Sequence, residues 1–127
     1  MIRWVLDASA VLALLRGEPG ADIVDEAISS SILSAVNASE VMAKLIAEGA
    51  SSETATQTMA ELACDIVAVD AGLGLRAGAL HASTRHNGLS LGDRICLALA
   101  EREGLPALTA DRAWAELSID IDVSLIR

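Results

Sequence analysis

The stretch WVLDASAVLALL, residues 4–15, joins an apolar run to a helix-forming run through one acid, Asp7. The run before the acid predicts a buried strand over residues 2–6, and the run after it predicts a short helix through Leu15. A buried strand that leads directly into a helix is the repeating unit of parallel α/β folds. In such a sheet the strands end at one common edge, where ligands bind. The stretch therefore predicts an α/β fold with Asp7 at its ligand-binding edge.

Alternating strands and helices continue to the end of the chain. Further strands are predicted at residues 31–34, 65–69, 107–109 and 123–126. Helices are predicted at residues 21–29, 36–48, 53–64, 71–86, 91–103 and 111–117. Because no linker, repeat or low-complexity segment interrupts this pattern, we expect one domain over residues 1–127. We expect its centre to be a parallel sheet of about five strands with helices on both faces.

The composition indicates a folded protein with an aliphatic core. Hydrophobic residues make up 53% of the chain, which is too many for a disordered protein. Phe and Tyr are absent from the sequence, and Trp4 and Trp114 are its only aromatic residues. Folds that bind nucleic acid by stacking bases on aromatic side chains are therefore disfavoured.

The net charge of −9 also disfavours a general nucleic-acid binder, because such proteins carry a basic face. This objection weakens if several acids form a metal site, since bound divalent ions would offset part of the negative charge. Eight of the nine basic residues are arginines, which suit bidentate contacts with phosphate or carboxylate. Any contact with nucleic acid would then depend on individual arginines and on the metal.

Cysteine usage and hydropathy predict a cytoplasmic protein without a membrane anchor. Cys64 and Cys96 lie in apolar segments without metal-ligand spacing, which indicates free buried thiols in a reducing compartment. Asp7 interrupts the N-terminal run that could be mistaken for a signal peptide. No apolar stretch approaches the length of about 20 residues that a membrane-spanning helix needs.

Four acids lie where an apolar strand gives way to a helix, or near the start of that helix. They are Asp7 in VLDASA, Glu40 in NASEVMAKL, Asp93 in SLGDRICLALA and Asp111 in LTADRAW. If the strand ends meet at one edge, these carboxylates repel one another unless a cation lies between them. Mg²⁺ and Mn²⁺ prefer hard oxygen ligands and commonly bridge to phosphate. The pattern therefore predicts a metal-dependent enzyme that acts on a phosphoester.

Each acid taken singly also has a local structural explanation. The explanations are a helix N-cap for Asp7, a capping box for Asn37 with Glu40 and for Ser90 with Asp93, and the positive end of a helix for Asp111. The metal-site interpretation depends on the whole set. These four acids adjoin the most apolar segments of the chain, where an unpaired charge is costly.

Four segments of the chain resemble PIN-domain ribonucleases, and among these the VapC-type toxins of bacterial and archaeal toxin–antitoxin pairs. The segments are VLDASAVLALL, SAVNASEVMAKL, LSLGDRICLALA and LPALTADRAW, and their order and spacing match over essentially the whole chain. The resemblance implies a PIN-like three-layer sandwich. It places the metal-binding acids of the family on Asp7, Glu40, Asp93 and Asp111, and the supporting polar residues on Ser9, Asn37 and Thr109.

The activity that this resemblance implies is Mg²⁺- or Mn²⁺-dependent endonucleolytic cleavage of RNA. The three aspartates would hold the metal, and Glu40 would complete the site directly or through water. Arg94 and Arg112, each next to a proposed ligand, are candidate contacts for the RNA phosphates.

The resemblance also implies partners. A VapC-like toxin is neutralised by an antitoxin whose C-terminal segment covers an apolar groove and reaches the acidic pocket. The helices at 21–29, 36–48 and 53–64 are candidates for that groove. Their surplus of aliphatic residues also suits a homodimer face, which we expect, although ordinary core packing would produce the same surplus.

Three alternative functions remain, and the first two would need residues that this chain lacks. A receiver-like signalling domain also gathers acids around Mg²⁺, but it needs a lysine after a late strand, and the only lysine is Lys44 on an early helix. A haloacid-dehalogenase-like phosphatase would need a second Asp at the position of Ser9. An inactive PIN scaffold that serves only to bind an antitoxin is disfavoured by the intact acids but stays open.

Overall fold

The computed structural model describes residues 3–127. Its strands are β1 (Trp4–Leu6), β2 (Ser31–Ser34), β3 (Asp65–Val67), β4 (Ala107–Thr109) and β5 (Val123–Leu125). Its α-helices are α1 (Ala8–Arg16), α2 (Ala21–Ala27), α3 (Ala35–Ala47), α4 (Ser52–Ala60), α5 (Ala71–Ala79), α6 (His81–Thr84) and α7 (Leu91–Glu103). Short 3₁₀ helices cover Ile28–Ser30, Arg85–Asn87 and Arg112–Glu116.

The strands form one parallel sheet in the order β3-β2-β1-β4-β5. Val5 of β1 pairs with Ile32 of β2 on one side and with Ala107 of β4 on the other. The chain therefore builds the sheet outward from β1 to β3 and then returns to the other side of β1. The strand order reverses between β1 and β4, and parallel α/β sheets bind ligands outside the strand ends at such a point.

Two apolar cores lie on opposite faces of the sheet, because successive strand residues point to opposite sides. Leu6 and Leu33 pack on one face with buried residues of α1 and α2. Val5 and Ile32 pack on the other face with buried residues of α5 and α7. The predicted parallel sheet of about five strands with helices on both faces is confirmed.

The helix predicted over residues 71–86 is wrong as one element. It is divided at Leu80 into α5, α6 and a 3₁₀ helix. The hydroxyls of Ser83 and Thr84 both donate hydrogen bonds to the Leu80 carbonyl. Hydroxyls near the backbone offer it an alternative to the regular helical pattern, which explains why the helix does not continue smoothly through this point.

The strand predicted over residues 65–69 is shorter than expected and ends at Val67. Val67 pairs with Ser34, the last residue of β2, and β3 lies at the edge of the sheet. A strand beyond Val67 would therefore have no partner for its backbone groups. The strand predicted over residues 2–6 begins at Trp4 in the structure, and residue 2 lies outside the described residues.

The two cysteines are free and buried, as predicted. None of the helices formed by residues 3–127 is both long enough and apolar enough to cross a bilayer.

Candidate functional site

The four acids singled out from the sequence line one cleft at the carboxyl edge of the sheet. The cleft has a volume of about 390 Å³, and Ser9 and Lys44 also contribute to its wall. Asp7 directly follows β1, and Asp111 follows β4 after one residue. These two acids therefore lie at the point where the strand order reverses. Glu40 is supplied by α3 and Asp93 by the first turn of α7.

A larger hollow of about 530 Å³ is present around Arg3, Trp4 and Ile23. It lies at the amino end of β1, opposite to the edge where parallel sheets bind ligands. The smaller cleft is the better candidate for a chemical site because four carboxylates converge on it.

Asp7 is buried and held by two hydroxyl groups. Its Oδ2 atom accepts hydrogen bonds from Ser9 Oγ at 2.6 Å and from Thr109 Oγ1 at 2.9 Å. Each hydroxyl also accepts a backbone N–H, from Ala110 at 2.9 Å and from Asp111 at 3.0 Å respectively. The loop after β4 is thereby tied to the end of β1, and the Asp7 carboxylate has a fixed orientation. The sequence assigned supporting positions to Ser9 and Thr109, and the structure gives both a direct contact with Asp7.

Asn37 is completely buried and links Glu40 to α7. Its Nδ2 atom donates to Glu40 Oε1 at 2.8 Å and to the Gly92 carbonyl at 3.0 Å. Ser34 caps α3 by accepting the Asn37 backbone N–H at 2.9 Å. The capping box proposed for Asn37 with Glu40 is therefore wrong. The N-cap is Ser34, three residues before Asn37, and Asn37 already lies inside the helix.

Asp93 and Asp111 keep the local roles that the sequence also allowed. Asp93 forms a capping box with Ser90, in which its Oδ2 accepts the Ser90 N–H at 2.9 Å. Asp111 caps the 3₁₀ helix Arg112–Glu116 by accepting the Ala113 N–H at 3.0 Å. Each carboxylate keeps a second oxygen that these bonds do not use, so a cap and a ligand role are compatible.

The cleft is electrostatically unfavourable for its own carboxylates. The pKa of Asp7 is raised to about 6: burial is the main cause, the negative charges of Asp93 and Glu40 add to it, and the hydrogen bonds from Ser9 and Thr109 partly oppose it. Burial also raises the pKa of Glu40, with Asp93 adding to the effect and Asn37 and Lys44 opposing it. A cation bound in the cleft would reverse these shifts, because it favours the ionised form of each carboxylate.

The PIN domain is the family whose sequence profile matches this chain, over residues 4–119. The chain belongs to the PIN-domain family. A comparison of the chain with curated protein sequences finds no match.

Solved structures with toxin–antitoxin names share the fold of this PIN domain. A chain of a toxin–antitoxin complex from Klebsiella pneumoniae is 20% identical, with a TM-score of 0.73 and 97% of each chain covered. A chain of DNA-bound VapBC from Salmonella typhimurium is 14% identical, with a TM-score of 0.75 and full coverage of both chains. VapC20 from Mycobacterium tuberculosis, described as a Sarcin-Ricin loop cleaving toxin, is 16% identical, with a TM-score of 0.74; the similarity covers 94% of this chain and 98% of VapC20.

The donor set of this PIN domain fits a hard divalent cation. Four carboxylates face one cleft, and carboxylate oxygens are the ligands that Mg²⁺ and Mn²⁺ prefer. As placed in residues 3–127, no three His, Cys, Asp or Glu side chains come close enough together to enclose an ion. A bound ion would therefore require the carboxylates to move closer together, which the caps on Asp93 and Asp111 allow because each leaves one carboxylate oxygen unused.

Three residues of the cleft region were not assigned a role from the sequence. Lys44 lines the cleft, Ser34 orients Asn37, and Gly92 accepts a bond from it. The spacing of Ser34 three residues before Asn37 was a usable N-cap signal. No sequence pattern around Gly92 predicted its contact with Asn37, because that contact depends on how α3 and α7 pack against each other.

Arg94 and Arg112 follow Asp93 and Asp111 directly, and neither forms an ion pair within residues 3–127. Arg94 is partly exposed and Arg112 is exposed. Neither residue lines the cleft itself, and Nε of Arg94 donates to the Ser90 carbonyl at 3.4 Å.

Proposed function

We propose that this PIN domain is a cytoplasmic, Mg²⁺- or Mn²⁺-dependent endoribonuclease that acts as the toxin of a VapC-type toxin–antitoxin pair. The observation that carries the proposal is the convergence of four carboxylates from separate segments on one cleft around the buried Asp7. Family membership supports a nuclease, and the toxin names of the structural neighbours support the biological role. The two free buried cysteines suit a reducing compartment.

In the proposed mechanism the three aspartates hold the metal and Glu40 completes the site directly or through water. A bound divalent ion would supply a water of lowered pKa and would stabilise charge on the phosphoryl oxygens. Ser9 and Thr109 orient Asp7 for this role through their hydrogen bonds to Oδ2. One of the carboxylates would also accept the water's proton.

The RNA backbone would be bound by cations at the rim of the cleft. Four of the nine basic residues pair with acids elsewhere on the surface: Arg16, Arg76, Arg102 and Arg127. Of the five without an ion pair in residues 3–127, only Arg3 lies at the opposite end of the sheet. Lys44 lines the cleft, Arg94 and Arg112 adjoin its acids, and Arg85 lies on a 3₁₀ helix that packs against Arg112–Glu116. Local cations of this kind can bind phosphate despite a negative net charge.

Replacing Arg94 and Arg112 together with Gln is expected to weaken RNA binding by more than about 100-fold, because hydrogen bonds to charged groups contribute about 1.5–3 kcal/mol each and about 1.4 kcal/mol is tenfold in affinity. Binding is measured by fluorescence anisotropy with a labelled single-stranded RNA in an Asp7→Asn background, which separates binding from cleavage. The dependence of affinity on salt should also become shallower. The matched control is Arg102→Gln, since Arg102 pairs with Asp70 away from the cleft. Equal affinities for the double variant and the control would exclude these arginines as phosphate contacts.

An antitoxin would cover exposed apolar residues of α2 and α3, of which α3 also supplies Glu40 to the cleft. Ile23 of α2 and Ile46 of α3 are exposed by 45% and 43%, although both are large aliphatic residues. On the other helical layer, Leu75 of α5 is 77% exposed, and α5 is a candidate for a homodimer contact. Exposed apolar groups of this kind favour protein partners. They also suit the alternative function of an inactive scaffold that only binds an antitoxin.

Metal-dependent cleavage of RNA is the result that tests the proposed function. The purified chain, free of antitoxin, is incubated with a mixed tRNA and rRNA pool in the presence of Mg²⁺, Mn²⁺ or EDTA. We expect discrete fragments with either metal and none with EDTA or with the Asp7→Asn variant. Folded protein that cuts no RNA with either metal would favour the scaffold function. Cleavage that persists in Asp7→Asn would exclude the acid cleft as the active site.

A further inference from the structure

Gly92 lies in the first turn of α7 against the carboxylate of Glu40. A Cβ atom at this position would lie 2.5 Å from Cδ of Glu40 and closer still to both carboxylate oxygens. The helical glycines Gly74 and Gly78 of α5 differ from it, because a Cβ atom at either would meet open space. A side chain at position 92 would therefore have to displace the Glu40 carboxylate, whereas the backbone conformation does not need a glycine, since its φ is not positive.

The same carboxylate is also bound by Asn37. The Asn37 amide donates to Glu40 Oε1 and to the Gly92 carbonyl, so it joins the two residues that touch each other. Its Oδ1 atom accepts the hydroxyl of Ser34 at 2.6 Å. The orientation of the amide is thereby determined, because the flipped form would turn its oxygen toward a carboxylate and a carbonyl.

We propose that Gly92 is a positioning residue for Glu40. Because Gly92 has no side chain, the Glu40 carboxylate fits against α7 at this position, where Asn37 holds it by a hydrogen bond. This space between Gly92 and Asn37 is the seat of the carboxylate. This inference rests on the proposed function, in which Glu40 completes the metal site. A glutamate side chain has several rotatable bonds, and a metal site needs its ligands held close to the productive geometry. The seat supplies this restriction at the place where α3 and α7 meet, and a methyl group at position 92 would force the carboxylate out of it.

The first measurement is Mn²⁺ binding to the 127-residue chain by isothermal titration calorimetry. Gly92→Ala is expected to weaken binding by about 10–100-fold, the usual effect of changing a group that orients a metal ligand. Gly78→Ala is the matched control and should bind Mn²⁺ like the wild type. In a Glu40→Asp background, where the shorter side chain no longer fills the seat, Gly92→Ala should cause little further loss.

Thermal unfolding of the metal-free protein provides a second readout that does not depend on metal binding. Alanine stabilises a helix relative to glycine, so Gly78→Ala should raise Tm in both backgrounds. Gly92→Ala should lower Tm when Glu40 is present and raise it when Glu40 is replaced by Asp. This reversal would support the seat even if the wild type bound no Mn²⁺, an outcome that would contradict the proposed function alone. An equal Tm shift for Gly92→Ala in both backgrounds, or unchanged Mn²⁺ affinity in a protein that binds Mn²⁺, would overturn the proposal.

Discussion

Asp7→Asn is expected to abolish metal-dependent RNA cleavage and, at the same time, to stabilise the metal-free protein near neutral pH. Cleavage should fall by more than about 100-fold, because losing a metal ligand costs more than losing a residue that only orients one. The gain in stability follows from the burial of Asp7, whose carboxylate is ionised at neutral pH in a site that disfavours its charge. Asparagine removes this charge, and its Oδ1 atom can still accept the bonds from Ser9 and Thr109.

The pH dependence of the free energy of unfolding tests whether Asp7 is the source of the expected gain in stability. Its pKa is about 6 in the folded protein against an ordinary value of 3.8, so the folded state binds the proton more tightly than the unfolded chain. The stabilisation that this proton provides is complete below about pH 4 and is lost as the pH rises toward about 6. A shift of this size corresponds to roughly 1–3 kcal/mol. Urea unfolding in EDTA should therefore show a decline for the wild type across this range that is smaller in Asp7→Asn, where the raised pKa of Glu40 still contributes.

Asp120→Asn is the matched control for this experiment. Asp120 is exposed and does not line the acid cleft. Its substitution should change the free energy of unfolding by less than about 0.5 kcal/mol and leave cleavage intact. If Asp7→Asn were instead less stable than the wild type near neutral pH, the cleft would already contain enough positive charge to stabilise the ionised carboxylate.

Trp114→Ala is expected to lower the free energy of unfolding by about 3–5 kcal/mol, the usual cost of truncating a buried aromatic residue. Trp114 is 1% exposed and packs in the core on the α5–α7 face of the sheet. It lies on the 3₁₀ helix that follows Asp111, so its loss should also loosen that part of the cleft. The measurement is chemical denaturation, followed by the cleavage assay at a temperature where the variant remains folded.

Trp114→Phe should cost much less and stay within about 1 kcal/mol of the wild type. Within residues 3–127, the indole Nε1 of Trp114 is buried without a hydrogen-bond partner. Phenylalanine keeps an aromatic ring in the core and removes this unsatisfied donor, which compensates for part of the lost contact area. A loss as large as that of Trp114→Ala would mean that the indole group makes a polar contact in solution.

Local sequence patterns predicted those elements whose limits depend on neighbours along the chain. β2 at residues 31–34, α7 at residues 91–103 and β4 at residues 107–109 have the predicted bounds. The limits of α7 are set by Ser90, which caps its start, and by Gly104, which ends it with a φ of 65°. Both signals act within a few residues, which is why a single sequence shows them.

Elements whose limits depend on a partner were predicted less well. β3 ends where its partner β2 ends. The division of the 71–86 helix at Leu80 is a different case, because the two side-chain bonds there come from residues only three and four positions away and the helix prediction did not take them into account. The parallel order of strands nevertheless made it possible to predict that Asp7, Glu40, Asp93 and Asp111 lie at one edge. All four do line one cleft.

The sequence by itself determined the α/β class, the order of the elements and the four acids at the sheet edge, because each depends on local periodicity or on the general geometry of parallel sheets. The tertiary structure alone decided the contacts between those acids and their surroundings. Asn37 and Gly92 are 55 residues apart and meet only because α3 packs against α7. Such contacts depend on the distance and angle between whole helices, which many distant side chains set together, and no pattern around either residue records them.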